Sequence, residues 1–273
     1  MLAPANYPLR YHWFNLKWGA PSGRLIRGVL SRERRTAPWR ARLVGCFGFQ
    51  GNNSTRAFEY PWAFEAIGPS AGLRVLEIGG SLSGFQFALD RAGCEVVNVD
   101  PGDPFYTGLW PATPANVALL NGLFKTNVTL KQCFLADAAF PDASFDRVVS
   151  ISVFEHIPEE ALTGILRETF RILKPGGLLI LSIDLFLNVQ PFEDRVANEY
   201  GHNVSVKWLV EKSGMEIVHG KPAELFGYPD FNWKVISANR NRYLTGNYPS
   251  MVQTVVLRKP NEAGRPPRTR CAS

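Results

Sequence analysis

The chain has 273 residues, is 45% hydrophobic and 20% charged, and carries a net charge of +6. That length and apolar content suffice for a full core, so one catalytic domain with appended segments is expected; no apolar run is long enough to cross a bilayer, and Met1-Leu-Ala-Pro lacks the start of a secretory signal, which predicts a cytoplasmic location. Cys46, Cys94, Cys133 and Cys271 are scattered without C-x-x-C spacing, which speaks against a zinc site or a disulfide scaffold.

The elements follow in chain order. Residues 1–70 are rich in Trp, Tyr, Phe and Arg and read as a basic, aromatic N-terminal cap; residues 1–45 alone hold nine Lys or Arg against one acid. Exposed aromatics in the first 50 residues make a homodimer the expected assembly. Arg74–Ile78 reads as a buried strand that runs into Gly79-Gly80, where backbone unburdened by side chains can meet a ligand. Leu82, Phe85, Ala88 and Leu89 share one face of the next helix, whose first turn aims free N–H groups over the glycines. Glu95–Asp100 is a second strand ending in an acid, 23 residues after Glu77, which suits a carboxylate accepting ribose hydroxyls. As G-x-G-x-x-G, the turn Gly79-x-Ser81-x-x-Gly84 admits a nicotinamide oxidoreductase.

Phe145–Ser152 is a β-rich run suited to a central parallel strand, with Glu155-His156 just past its end. Leu162, Ile165, Leu166, Phe170 and Leu173 recur at helical spacing until Lys174-Pro-Gly-Gly177 stops the helix. Leu178–Ile183 is the next buried strand and Asp184 follows it. A helix around Trp208, a strand Met215–His219, an insertion over 220–250 and a last strand Val252–Leu257 complete a 71–258 domain. Residues 259–273 form a basic tail, read as flexible and solvated, and nucleic acid is not an expected partner.

Glu77, Gly79, Ser81 and Ser83 in E-x-G-x-G-x-G spacing, Ala136-Asp137-Ala138, Phe140 through Pro158 and Leu166 through Leu181 occur in the order that marks one family. Over roughly Leu73 to His219 the chain resembles the class I S-adenosylmethionine-dependent methyltransferases, with serine at the second and third motif glycines. The resemblance implies an α/β, Rossmann-like doubly wound fold with a mostly parallel seven-stranded sheet whose last strand is antiparallel. It implies S-adenosyl-L-methionine as cofactor, with Glu77, Gly79, Gly80 and Ser81 at its methionine end, Asp100 on the ribose and Asp137 with Ala138 beside the adenine. Ser152 and Val153 would line the floor, and Arg56 and Tyr60 would close the pocket from above.

Methyl transfer from a sulfonium is an in-line displacement, so alignment in a dry pocket supplies most of the acceleration. A hydroxyl acceptor also needs its proton removed, which points to His156 as base, with Glu155 and Asp184 as further catalytic candidates. Asp184 with Glu155 or His202 could alternatively hold Mg²⁺, although no metal-spacing motif is present. In the insertion, Tyr228, Trp233, Arg240 and Tyr243 combine flat faces with directional donors suited to a sugar. The expectation is therefore an O-methyltransferase acting on a polar small molecule, a saccharide or glycan first. A quinone, phenol or amine natural product is the alternative acceptor. A non-catalytic methyltransferase-like binding domain remains open because of the two serines, and no Tyr-x-x-x-Lys pair supports the oxidoreductase.

Overall fold

The computed structural model describes residues 1–24, 38–102 and 110–261. Two short helices, α1 (Leu9–Trp18) and α2 (Pro38–Val44), precede α3 (Arg56–Ile67). The alternating core then runs β1 (Arg74–Ile78), α4 (Gly84–Arg91), β2 (Glu95–Val99), α5 (Pro114–Phe124), β3 (Thr129–Lys131) and β4 (Phe145–Ile151). It continues with α6 (Glu159–Ile172), β5 (Leu173–Phe186), α7 (Val206–Ser213), β6 (Glu216–His219), α8 (Trp233–Ala238) and β7 (Ser250–Arg258).

The strands form one sheet in the order β3-β2-β1-β4-β5-β7-β6, and β7 alone runs against the others. This is the Rossmann-like, doubly wound methyltransferase arrangement. From β1 the chain proceeds outward through β2 to β3 and then crosses back to β4 on the other side. That reversal opens a crevice beyond the carboxyl ends of β1 and β4, where open α/β sheets bind ligands.

The helices cover both faces for reasons visible in their apolar spacing. On α6, Leu162, Leu166, Thr169 and Ile172 are buried, while Glu159 and Glu160 occupy the first turn, where acids complement the helix dipole. Helix α4 buries Phe85, Phe87, Ala88 and Leu89. Much of the N-terminal region shares this core, since Phe58, Trp62 and Ile67 of α3 cluster with Val75, Phe85 and Ile180. Residues at the start of the chain also extend the sheet: Leu2 lies opposite Gln253, Ala3 N–H donates to the Val252 carbonyl at 2.8 Å, and Thr254 N–H donates to the Met1 carbonyl at 2.7 Å.

Strand β5 corrects one sequence expectation. Lys174-Pro-Gly-Gly177 does stop α6, yet Leu173 already pairs with Phe145 before the ladder resumes at Arg147 opposite Leu178. The four residues are thus an irregularity inside one long strand, pinned where Lys174 Nζ donates to Asp146 at 2.7 Å. The strand also runs past Ile183 to Phe186, so Asp184 lies within the ladder opposite Val252 rather than after it.

Candidate active site

At the carboxyl end of β1 two glycines are required by their neighbours. Gly79 has φ +68°, and a Cβ there would lie 2.6 Å from Cγ1 of Val153. A Cβ on Gly80 would lie 2.5 Å from the Glu77 carboxyl carbon, so this glycine leaves a cradle facing that acid. Ser81, at φ 46°, takes the left-handed conformation despite its side chain. Three bonds hold it there: Asn98 Nδ2 at 2.6 Å and Gln86 Nε2 at 3.1 Å donate to its carbonyl, and its N–H donates to Asp100 Oδ2 at 2.6 Å. The serine at the second motif glycine is therefore held in place by β2 and α4, a role for Asn98 and Gln86 that the motif alone did not reveal.

Glu77 is buried, and burial, reinforced by the nearby Asp100 charge and opposed by Gln86 and Ser83, pushes its carboxyl up to about 8. Burial in this way favours the protonated carboxyl, and a cation brought beside it would favour the ionised form. Asp100 accepts from Ser81 N–H and, through Oδ1, from Gly102 N–H at 2.7 Å. A carboxylate has about four acceptor directions, so it retains capacity for hydroxyl donors. Asp137 is exposed at the end of a single turn of 3-10 helix, Leu135–Asp137, with Leu135 and Ala138 buried beside it.

A second buried group joins α3 to β4 and β5. Arg56 Nη1 donates to Glu59 Oε2 and, at 2.7 Å, to Ser152 Oγ. Glu59 Oε1 accepts from Ser152 Oγ at 2.9 Å and from Ser182 Oγ. Burial alone would neutralise Glu59, yet Arg56 and the two hydroxyls outweigh it and hold the carboxyl below its ordinary range. Next to it, Tyr248 OH donates to Asp184 Oδ2 at 2.5 Å, and Asp184 N–H donates to Glu155 Oε1 at 3.0 Å. The remaining oxygens, Glu155 Oε2 and Asp184 Oδ1, are buried with no hydrogen-bond partner. Burial and the neighbouring acid raise both carboxyls, Asp184 to about 6 under burial and the Glu59 charge and Glu155 well above the usual range.

Above these acids Tyr200 and Tyr248 stack with centroids 4.6 Å apart, and Phe186 lies 6.1 Å from Tyr248. His156 is exposed at the rim and its Nδ1 meets the Tyr200 carbonyl. Because a carbonyl can only accept, the proton is assigned to Nδ1 and the lone pair to Nε2. Partial desolvation lowers the imidazole below its ordinary value, as do the Arg56 and His202 charges.

The structure thus groups Glu77, Gly79, Gly80, Ser81, Asp100 and Val153 at one end of the crevice, and Arg56, Ser152, Glu155 and Asp184 at the other. Tyr60 is buried in a stack, 5.4 Å from the Phe85 ring and 4.8 Å from Phe47, so it packs the wall rather than projecting as a lid. The four insertion residues are dispersed. Tyr228 packs on the core cluster that includes Leu209 and Leu225, Tyr243 on the small cluster around Leu2, and Trp233 lies 6.3 Å from Phe192, while Arg240 is exposed. Tyr248 is the insertion residue bonded to Asp184. Glu59, Ser182 and Tyr200 were not singled out from sequence; the one available cue was Glu59 three residues after Arg56 on one helix. The Mg²⁺ expectation is not met: among the described residues no three His, Cys, Asp or Glu side chains are grouped to hold a metal, and His202 approaches Glu155 through its backbone N–H.

A glycine turn after β1, an acid closing β2 and a crevice at the strand-order reversal define a doubly wound domain with the outline of a nucleotide-cofactor site. Residues 76–181 match the family described as a methyltransferase domain, and this stretch belongs with the class I S-adenosylmethionine-dependent methyltransferases. It is 33% identical over 116 residues to an uncharacterized methyltransferase of Mycobacterium sp. (strain KMS), covering 42% of this chain and 40% of that protein. It is 35% identical over 114 residues to the ubiquinone biosynthesis O-methyltransferase of Xanthomonas oryzae pv. oryzae (strain PXO99A), covering 41% of this chain and 43% of that one. The chain thus spans about two fifths of the length of the curated relatives it matches. Among solved structures, phosphoethanolamine N-methyltransferase 2 of Haemonchus contortus superposes with a TM-score of 0.50 at 17% identity, over 74% of this chain and 52% of that one, a likeness of fold alone.

The residues present fit S-adenosylmethionine. Glu77 is a buried carboxyl, the Gly80 cradle faces it, and Asp100 has unused acceptor capacity.

Proposed function

We propose that the protein is an S-adenosylmethionine-dependent O-methyltransferase acting on a hydroxyl of a polar, ring-bearing small molecule. When bound, S-adenosylmethionine supplies a methyl group on a sulfonium. Glu77 would pair with its ammonium end, Asp100 would accept from the ribose hydroxyls, and Asp137 with Ala138 would border the adenine. Ser152 and Val153 would form the floor, with Arg56 as a cation above it. His156 would take the acceptor proton at Nε2.

The observation that carries the hydroxyl reading is the bond between His156 Nδ1 and the Tyr200 carbonyl, which leaves a fixed, neutral imidazole with its basic nitrogen free at the rim. A saccharide is the first acceptor class, a reading that rests on the aromatic and donor-rich composition of the insertion. A phenol is the second, favoured by the stacked Tyr200 and Tyr248 rings and by the likeness to a ubiquinone O-methyltransferase. Turnover assays with labelled methyl donor, run in parallel on hydroxylated sugars, phenols and amines, test the reading. Transfer to sugars or phenols supports it; transfer confined to amines, or calorimetric binding of NAD without S-adenosylhomocysteine binding, overturns it.

A further inference from the structure

We propose that the outer faces of α1 and α2 form a docking surface for an anionic lipid bilayer. The inference does not rest on the catalytic reading. Five of the eleven exposed large hydrophobic residues among those described fall on these two short helices: Leu9 (69% exposed), Trp13 (63%) and Leu16 (59%) on α1, and Trp39 (59%) and Leu43 (51%) on α2. Their spacing, i, i+4 and i+7 on α1 and i, i+4 on α2, puts each set on one helical face. The opposite faces are already used, since Tyr11, Phe14, Trp18, Ala41 and Val44 are buried in the main core.

One side chain joins the two stripes. Arg24 donates through Nε to the Leu16 carbonyl at 2.6 Å, through Nη2 to the Lys17 carbonyl, and through Nη1 to the Leu43 carbonyl at 3.3 Å. A single guanidinium reaches the carboxyl ends of both helices, so Leu16 and Leu43 are neighbours and the stripes meet there.

Charge selects the occupant. Described residues 1–24 and 38–45 contain five Lys or Arg, namely Arg10, Lys17, Arg24, Arg40 and Arg42, and no acid. The guanidinium of Arg40 lies 5.4 Å from the Trp39 ring centroid, pairing an interfacial aromatic with a cation. One acid reaches this surface from α3, where Glu65 accepts from Arg10 Nε at 2.8 Å; exposed Trp and Leu beside the further cations match the interface of an anionic bilayer, where apolar side chains enter the acyl boundary and cations meet headgroups. A second copy of the chain would press two cationic rims together, which like-charge repulsion opposes.

The test is co-sedimentation of the full chain with phosphatidylcholine vesicles, with and without about 30 mol% phosphatidylglycerol. Binding to the anionic vesicles alone is expected, weakened at least ~10-fold by raising salt to about 0.5 M. The pair Trp13→Ala and Trp39→Ala should lower partition at least ~10-fold, as should Leu9→Gln with Leu16→Gln, with melting temperatures near that of the parent because the side chains are exposed. Absence of binding to anionic vesicles, or undiminished binding in both variants, overturns the proposal. So does a homodimer in sedimentation equilibrium that the variants dissociate, which would assign the surface to a second copy. A marked fall in melting temperature without vesicle binding would assign it to the chain's own remaining residues.

Discussion

Glu77 links the proposed cofactor site to the stability of the whole domain. Its folded pKa of about 8 stands above the ordinary 4.5, so the folded chain holds a proton that the unfolded chain releases. Its contribution is intact below the unfolded value and is lost as pH rises through about 8. The melting temperature should fall across that window, and Glu77→Gln should flatten this part of the profile while weakening S-adenosylhomocysteine binding. Below about pH 8, pairing with the ligand ammonium should ionise the carboxyl, so calorimetry in buffers of different ionisation enthalpy should register close to one proton released. A proton count near zero would remove Glu77 from the ligand's ammonium end. At the other end of the crevice, His156 has a lowered pKa and stays neutral to lower pH than an ordinary imidazole. Replacement by Gln should cut turnover about 100-fold or more with donor affinity unchanged, and the acidic limb of the parent's pH–rate profile should fall below the usual His range.

At the scale of elements, α3 is fastened to the sheet through Glu59. Removing its carboxylate with Glu59→Ala leaves Arg56 buried without its counter-charge, which should destabilise the fold by about 3–5 kcal/mol, read by denaturant unfolding. Because the Glu59 pKa is depressed, its contribution is present above the ordinary carboxyl range and is lost as pH falls through the folded value. The same elements show what a sequence reveals. Alternating apolar runs and helices announced the doubly wound sheet, and the glycines after β1 marked its turn, because these are local patterns with fixed periods. The irregularity in β5 was hidden because Lys-Pro-Gly-Gly is an equally good helix stop. Glu59 was hidden because its partners Ser152 and Ser182 stand 93 and 123 residues away, and no local pattern encodes a bond across that distance. The insertion aromatics misled for a related reason: composition says that flat rings are present, whereas only the path of the chain decides that Tyr248 meets Asp184 and Tyr228 packs into the core.

Over the whole molecule, the beginning and end of the described chain are knitted into one sheet. Leu2 is 2% exposed in a cluster with Leu185, Ile236 and Met251, so Leu2→Ala should cost about 2–5 kcal/mol in denaturant unfolding despite lying next to the first residue. A value within about 0.5 kcal/mol of the parent would show that this contact does not matter. The Leu2 and Gln253 pairing also carries a temporal consequence. Residue 2 leaves the ribosome well before residue 253, so the segment that carries it waits for its place on β7 until that strand has emerged. Completion of this sheet margin thus follows the emergence of β7, and a nascent chain stalled before that strand would leave Leu2 uncovered for whatever chaperone is at hand.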